Sequence, residues 1–191
     1  LETATQKRTL RIENICKEAA ELLLNKHNYT TRAEVSMEAE FAIREETPVT
    51  KKRTQNTAII IAKAVAGGGD DHEEIGARVT GITVCPCSKE MMSERAKKKL
   101  ASLGLGEQEV QEFLEEIPQA GHSQRGHATL KIESKNSPEI NVIELIEMAR
   151  DSMSAKIFNL AKRPDEDYMT YHAHLNAKFV EDCVRSMAKK V

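Results

Sequence analysis

The chain has 191 residues, 40% of them hydrophobic and 30% charged, with a formal net charge of −2. That balance suits a soluble globular protein and excludes a disordered one. No Trp and only seven other aromatics leave no ladder for stacking bases, the charge gives no broad nucleic-acid footprint, and no apolar run approaches the ~18–20 residues of a membrane helix.

Ile12, Ile15, Cys16, Ala19 and Leu23 recur at helical spacing, so residues 9–27 are expected to form an amphipathic helix. From Ala33 the period changes to two. Ala33, Val35, Met37, Ala39 and Phe41 alternate with Glu34, Ser36, Glu38 and Glu40, which predicts a half-buried strand. A second strand is expected through residues 57–66, then a turn at "GGGDD", then a third strand ending at Cys85. The last two form an antiparallel hairpin.

Ser88 is the expected N-cap of a basic helix that Gly104 ends, with Lys97–Lys98–Lys99 as a solvated face. An acidic helix follows over about 107–116. A fourth strand alternates Ala128, Leu130 and Ile132 with polar residues. Ser137–Pro138 marks a helix start, and that helix carries Ile140, Ile143 and Leu145. A last helix is expected after an Asn176 cap, with Phe179, Val180, Cys183, Val184 and Met187 inward. The class is α+β, an antiparallel sheet with helices on one face. The chain reads as a single domain.

Four cysteines, at 16, 85, 87 and 183, are too few for a disulfide framework. Cys16 and Cys183 fall on apolar stripes and read as core thiols. The expected compartment is a reducing cytoplasm. The chain starts at Leu1 without a leader-like segment, so it is expected to be an internal piece of a longer protein.

Thiolate, imidazole and carboxylate together suit a divalent metal. Cys85 and Cys87 flank Pro86 at a strand end, where residues two apart share a face. His122 sits in "QAGHSQRGH" and Glu166 in "RPDED". Three ligands would leave a position open for water. Each feature also has a plain reading. Cys-Pro-Cys can be two free thiols or a redox pair, His122 a surface residue, and "RPDED" a helix start with acids against the macrodipole. His72 reads as solvated, and His172 and His174 do not share a helix face.

Taken in order, "VTGITVCPCSKE", "GHSQRG", "KRPDEDYMT" and "NAKFVEDCVR" resemble the signatures of the type IB GTP cyclohydrolases, over about residues 30–190. The resemblance implies the tunnelling fold, homo-oligomers with sites between subunits (a tetramer expected), and GTP as substrate. It implies a divalent metal, Fe²⁺ first with Zn²⁺ or Mn²⁺ as alternatives, bound by Cys85, His122 and Glu166. Cys87 and His122 take the catalytic positions. Glu181 takes the position that anchors the purine. Gln124 and Arg125 follow the His and hold substrate, and Arg125 and Lys89 are the cations for its phosphates. The expected reaction opens guanine at C8, releases formate and forms a dihydroneopterin phosphate.

This chain departs from the family pattern in three ways. Ser123 replaces the usual Asn. About 25 extra residues separate Cys87 from His122, a feature of the archaeal, methanopterin branch, whose product is a 2′,3′-cyclic phosphate. The family's N-terminal His-Met-Ser-Arg-like and C-terminal Glu-x-Ile-His segments are not in this sequence. Competing functions are a non-catalytic metal or redox protein, a purine-binding module, and another tunnelling-fold enzyme with a nucleophilic Cys.

Overall fold

The computed structural model describes residues 12–135 and 140–191. Among the described residues the chain is α+β. In order it forms α1 (Ile12–Lys26), β1 (Arg32–Glu46), β2 (Arg53–Gly67), β3 (His72–Val84), α2 (Pro86–Ser102), α3 (Glu107–Glu116), β4 (Ser123–Ser134), α4 (Val142–Ser152), β5 (Ala155–Lys156), α5 (Arg163–Leu175) and α6 (Val180–Ala188). The sheet order is β1-β2-β3-β4, with β5 also paired to β3. None of these helices is long and apolar enough to cross a membrane. The expected helix start at Ser137–Pro138 lies outside the described residues.

The chain divides into two compact units. One comprises the residues up to Ile43 with Thr57–Val79 and Ala128–Ala149. Here β1 keeps its expected alternation, whereas on α1 Ile15 and Leu23 of the expected apolar stripe are exposed. β1 buries Ala33 and half-buries Val35, Met37, Ala39 and Phe41, while the alternate residues face water. α1 buries Ile12, Cys16 and Ala20, and small residues (Ala20, Ala33, Ala66) meet in one cluster with Leu24 and Val35 packed on it. β2 is almost continuously buried from Ala58 onward, as a strand covered on both faces must be. It pairs antiparallel with β3 from Ile59↔Arg78 to Val65↔His72. Gly67, Gly68 and Gly69 turn the chain at φ +82, +76 and +80, a region glycine enters without a Cβ clash. On α4, Val142, Leu145, Ile146 and Ala149 are buried, whereas Ile143 is 44% exposed. Leu145 thus faces inward as expected and Ile143 does not.

The other unit comprises Arg44–Asn56, Thr80–His127 and Arg150–Val191. β5 pairs antiparallel with β3 through Gly81↔Lys156 and Ile82↔Ala155. Val84, Met153, Ala173, Cys183 and Met187 are buried here. Three expectations are corrected. The N-cap of α2 is Cys85, not Ser88, because Pro86 fits the first helical position, where its missing N–H costs nothing. Asn176 ends α5 instead of starting α6, whose N-cap is Phe179. On α6 only Cys183 and Met187 of the expected apolar stripe are buried; Phe179, Val180 and Val184 are exposed. Cys16 and Cys183 are buried free thiols, as expected. Burial pushes both thiols up, helped at Cys16 by the carboxylate of Glu13.

Candidate active site

The step from β3 into α2 is tied on every side. The Val84 amide donates to Ser154 Oγ at 3.2 Å, and the Lys178 amide donates to the Val84 carbonyl at 3.1 Å. The Cys85 amide donates to the His122 carbonyl at 2.8 Å. The His122 amide in turn donates to Ser88 Oγ at 3.0 Å. Two motifs far apart in sequence are therefore held on adjacent turns. Gly121 permits the approach: a Cβ there would lie 3.0 Å from the Cys85 carbonyl oxygen and 3.2 Å from Lys89 Cβ.

Cys85 and Cys87 do not share a strand face. The strand stops at Val84, Cys85 caps α2, and Cys87 lies in its first turn. Cys85 is half-buried and Cys87 exposed, and both are free thiols. The period-two pattern ends at Val84, one residue before Cys85 and three before Cys87.

The end of α5 buttresses the His122 loop. His174 Nε2 is 3.3 Å from the Gly121 carbonyl oxygen, and its Nδ1 is 2.9 Å from that of Thr170. Both partners can only accept, so the doubly protonated ring donates to both and the neutral ring to one. Asn176 Nδ2 donates to the carbonyls of Met153 and Ser154, closing α5 against the β5 segment. Lys89 Nζ points to the Leu175 carbonyl at 3.5 Å, at the negative end of α5. Lys89 was expected at phosphate and His174 in no marked role; here Lys89 reaches the end of α5 and His174 braces the loop. His172 packs against Tyr168, ring centroids 3.9 Å apart and planes tilted by 47°.

Glu166 stands exposed in the first turn of α5. Its neighbour Asp165 is the residue sequence reading missed. Asp165 is fully buried and accepts from the amides of Val49 (3.0 Å), Thr50 (2.9 Å) and Lys162 (3.0 Å) and from the Thr50 hydroxyl (2.5 Å). Burial alone would raise its carboxyl; the Thr50 hydroxyl and the three amides outweigh that and hold it well below the usual carboxylate range. The sequence did carry half the signal, an acid three residues after the Lys162 cap.

Gln124 and Arg125 are exposed near the start of β4, directly after His122. Glu181 is exposed in the first turn of α6. Asp182, beside it, accepts from the Phe179 amide at 3.3 Å and pairs with Arg185.

Cys85 and His122 fit a divalent ion by donor chemistry and by their neighbouring turns. A third donor is not gathered with them: among the described residues no three His, Cys, Asp or Glu side chains are grouped to hold an ion.

The sequence of the whole chain, residues 1–191, matches the family described as type I GTP cyclohydrolase folE2. The chain belongs to that family. It is 60% identical over 191 residues to a GTP cyclohydrolase MptA of Haloarcula marismortui, covering 100% of this chain and 62% of the relative. It is 60% identical over 192 residues to a GTP cyclohydrolase MptA of Halobacterium salinarum, with 62% of that protein covered. GTP cyclohydrolase MptA 1 of Methanocella arvoryzae is 42% identical over 192 residues, with 61% covered. The chain thus spans somewhat less than two thirds of the length of these relatives.

Proposed function

We propose that the protein is a metal-dependent GTP cyclohydrolase that opens the guanine imidazole ring at C8, releases formate and forms a dihydroneopterin phosphate. Family membership along residues 1–191 carries this reading. The adjacency of Cys85 and His122 supports it.

C8 is an unactivated aromatic carbon, and free water at neutral pH attacks it poorly. Cys85 and His122 would hold the ion, with Glu166 contributing directly or through water; the ion is Fe²⁺ in our reading, with Zn²⁺ or Mn²⁺ as alternatives. Such an ion, when bound, supplies a water whose pKa falls to roughly 7 in favourable sites. Two waters cut C8 from its two nitrogens and carry it off as formate. One water is lost when the opened sugar recloses on the freed amine. The insertion that forms α2 and α3 favours the archaeal product, a 2′,3′-cyclic phosphate with pyrophosphate released.

Glu181 grips the N1–H and 2-amino donors of guanine with its two oxygens. Gln124 and Arg125 hold the substrate beside His122. Cys87, in the first turn of α2, moves a proton at the ring being opened. The assembly is a homo-oligomer, a tetramer in our reading, with the tunnelling fold, acting in the cytoplasm. The exposed Phe179, Val180 and Val184 support association.

The test is direct. GTP is added with and without Fe²⁺, with ATP as the control, and formate and pterin fluorescence are followed. With Fe²⁺, formate and a fluorescent pterin are expected from GTP and not from ATP. Iron-loaded protein that leaves GTP intact would overturn the proposal.

A further inference from the structure

A nucleoside triphosphate carries three to four negative charges, and something must hold them. Lys89, one of the two cations expected to do so, is turned to the Leu175 carbonyl. The structure offers another set. The turn between β1 and β2 carries Lys51, Lys52 and Arg53 with no acid between Thr47 and Arg53. Lys162 and Arg163 begin α5. These two segments share one carboxylate: Asp165 accepts from the Val49 and Thr50 amides on one side and the Lys162 amide on the other.

The turn is over-determined. The Thr47 amide donates to the Lys52 carbonyl at 2.9 Å, and the Lys52 amide to Thr47 Oγ1 at 3.0 Å. Thr47 is fully buried, and its hydroxyl also meets that of Thr50 at 3.0 Å. Lys51 sits at φ +53, a left-handed conformation that a glycine would adopt more easily. A lysine there keeps a cation on the turn at a cost in strain, and such strain persists where the surroundings fix the backbone. All five cations are exposed. Among the described residues none of the five is in an ion pair, whereas Lys17, Lys63, Lys131 and Arg150 all are. The acids of the same segments are Glu46, Asp165, Glu166 and Asp167. Asp165 is buried and saturated, which leaves Glu46, Glu166 and Asp167 against the five cations.

We infer that Lys51, Lys52 and Arg53, set beside Lys162 and Arg163 by the buried Asp165, form the subsite for the polyphosphate tail of the substrate. The inference rests on the cyclohydrolase reading for its ligand. Guanidinium and ammonium groups are the side chains that recognise phosphate oxygens. The anchored backbone also lowers the entropy lost when the tail is bound.

The experiment is calorimetry on the full chain with GTP, guanosine and inorganic tripolyphosphate. For a variant combining Lys51→Ala, Lys52→Ala and Arg53→Ala, GTP binding should weaken by about ten-fold or more while guanosine binding stays put. Tripolyphosphate binding should be lost. Its salt dependence in the wild type should be steep, since it is an ionic contact. Lys51→Gly is the second variant. It should melt no lower than the wild type, because it relieves strain, and should still bind tripolyphosphate more weakly. Wild-type affinity for GTP and tripolyphosphate in both variants overturns the subsite, even if GTP is turned over. Tripolyphosphate binding that depends on these cations without any GTP turnover would keep the subsite and remove only the activity.

Discussion

The Cys85 amide donates to the His122 carbonyl at 2.8 Å, joining residues 37 apart in the chain through main-chain atoms. The thiol and the imidazole are left out of that bond and remain available as donors. Main-chain tethering also means that either side chain can be changed without breaking the tie between the turns.

That separation makes a clean test of the metal assignment. Cys85→Ser should keep the fold and lose most of the metal and most of the activity. Cys16→Ser, at a buried thiol in the other unit, should lose neither metal nor turnover. It should show only the cost of burying a hydroxyl, about 1–3 kcal/mol if no partner is found. Metal content by emission spectroscopy decides, and full occupancy in Cys85→Ser removes Cys85 from the site.

His174 offers a second separation. It bonds the Gly121 carbonyl next to His122 but is not offered as a ligand. His174→Phe leaves that carbonyl without its partner, a penalty of about 1–3 kcal/mol when the oxygen is out of water. The expected result is kcat lowered about ten-fold, KM for GTP within about two-fold of wild type, and metal retained. A fall in metal content matching that of Cys85→Ser would make His174 a ligand instead.

Asp165 sets the behaviour in acid. Its carboxyl titrates below the usual range in the folded protein, because the Thr50 hydroxyl and three amides outweigh burial. In the unfolded chain it titrates near ~3.9. The stabilisation it gives is therefore complete above that value and lost as pH falls through the lower, folded value. Asp165→Asn should lower the urea midpoint at pH 7 and make stability less dependent on pH below about 4. Parallel stability curves for the two proteins from pH 7 to pH 2 would contradict this account.

Much of this was legible in the sequence, for a physical reason. A half-buried strand must alternate, so β1 could be read from Ala33 to Phe41. A turn that needs three positive φ angles must be glycine-rich, so the β2–β3 hairpin was also visible. Less legible was what depends on a partner distant in sequence. Asp165 looks like an ordinary first-turn acid until Thr50, 115 residues away, is brought onto it. The Cys-Pro-Cys motif could be read as a strand end or a helix start, and Pro86 fits both. On α6 the apolar period was real, but a period tells only that a face is apolar. It does not tell what covers that face, and Phe179, Val180 and Val184 are exposed.

Those three residues give the oligomer its test. A homo-oligomer should be seen by light scattering at micromolar concentration, and Val180→Glu with Val184→Glu should shift it toward monomer. A wild-type monomer that turns over GTP at full rate would contradict the proposed assembly.

Glu181 and Asp182 are neighbours of which different work is expected. Asp182 caps α6 by accepting from the Phe179 amide and pairs with Arg185. Glu181 stands exposed in the same first turn. An exposed helix acid is ordinarily just solvated, so the proposed role rests on the family resemblance together with the donors that guanine presents. Its N1–H and 2-amino group are adjacent donors, and one carboxylate has two acceptor oxygens to meet them. Adenine lacks that pair and would leave the carboxylate without partners. Glu181→Ala should therefore keep its metal and its melting temperature but lose about 2–4 kcal/mol of GTP binding. Asp182→Ala should do the reverse, losing about 1 kcal/mol of stability with its cap and leaving GTP affinity unchanged. Calorimetry with metal present, beside thermal melts of both variants, separates the two roles. Equal GTP affinity in Glu181→Ala and wild type would take Glu181 out of the site.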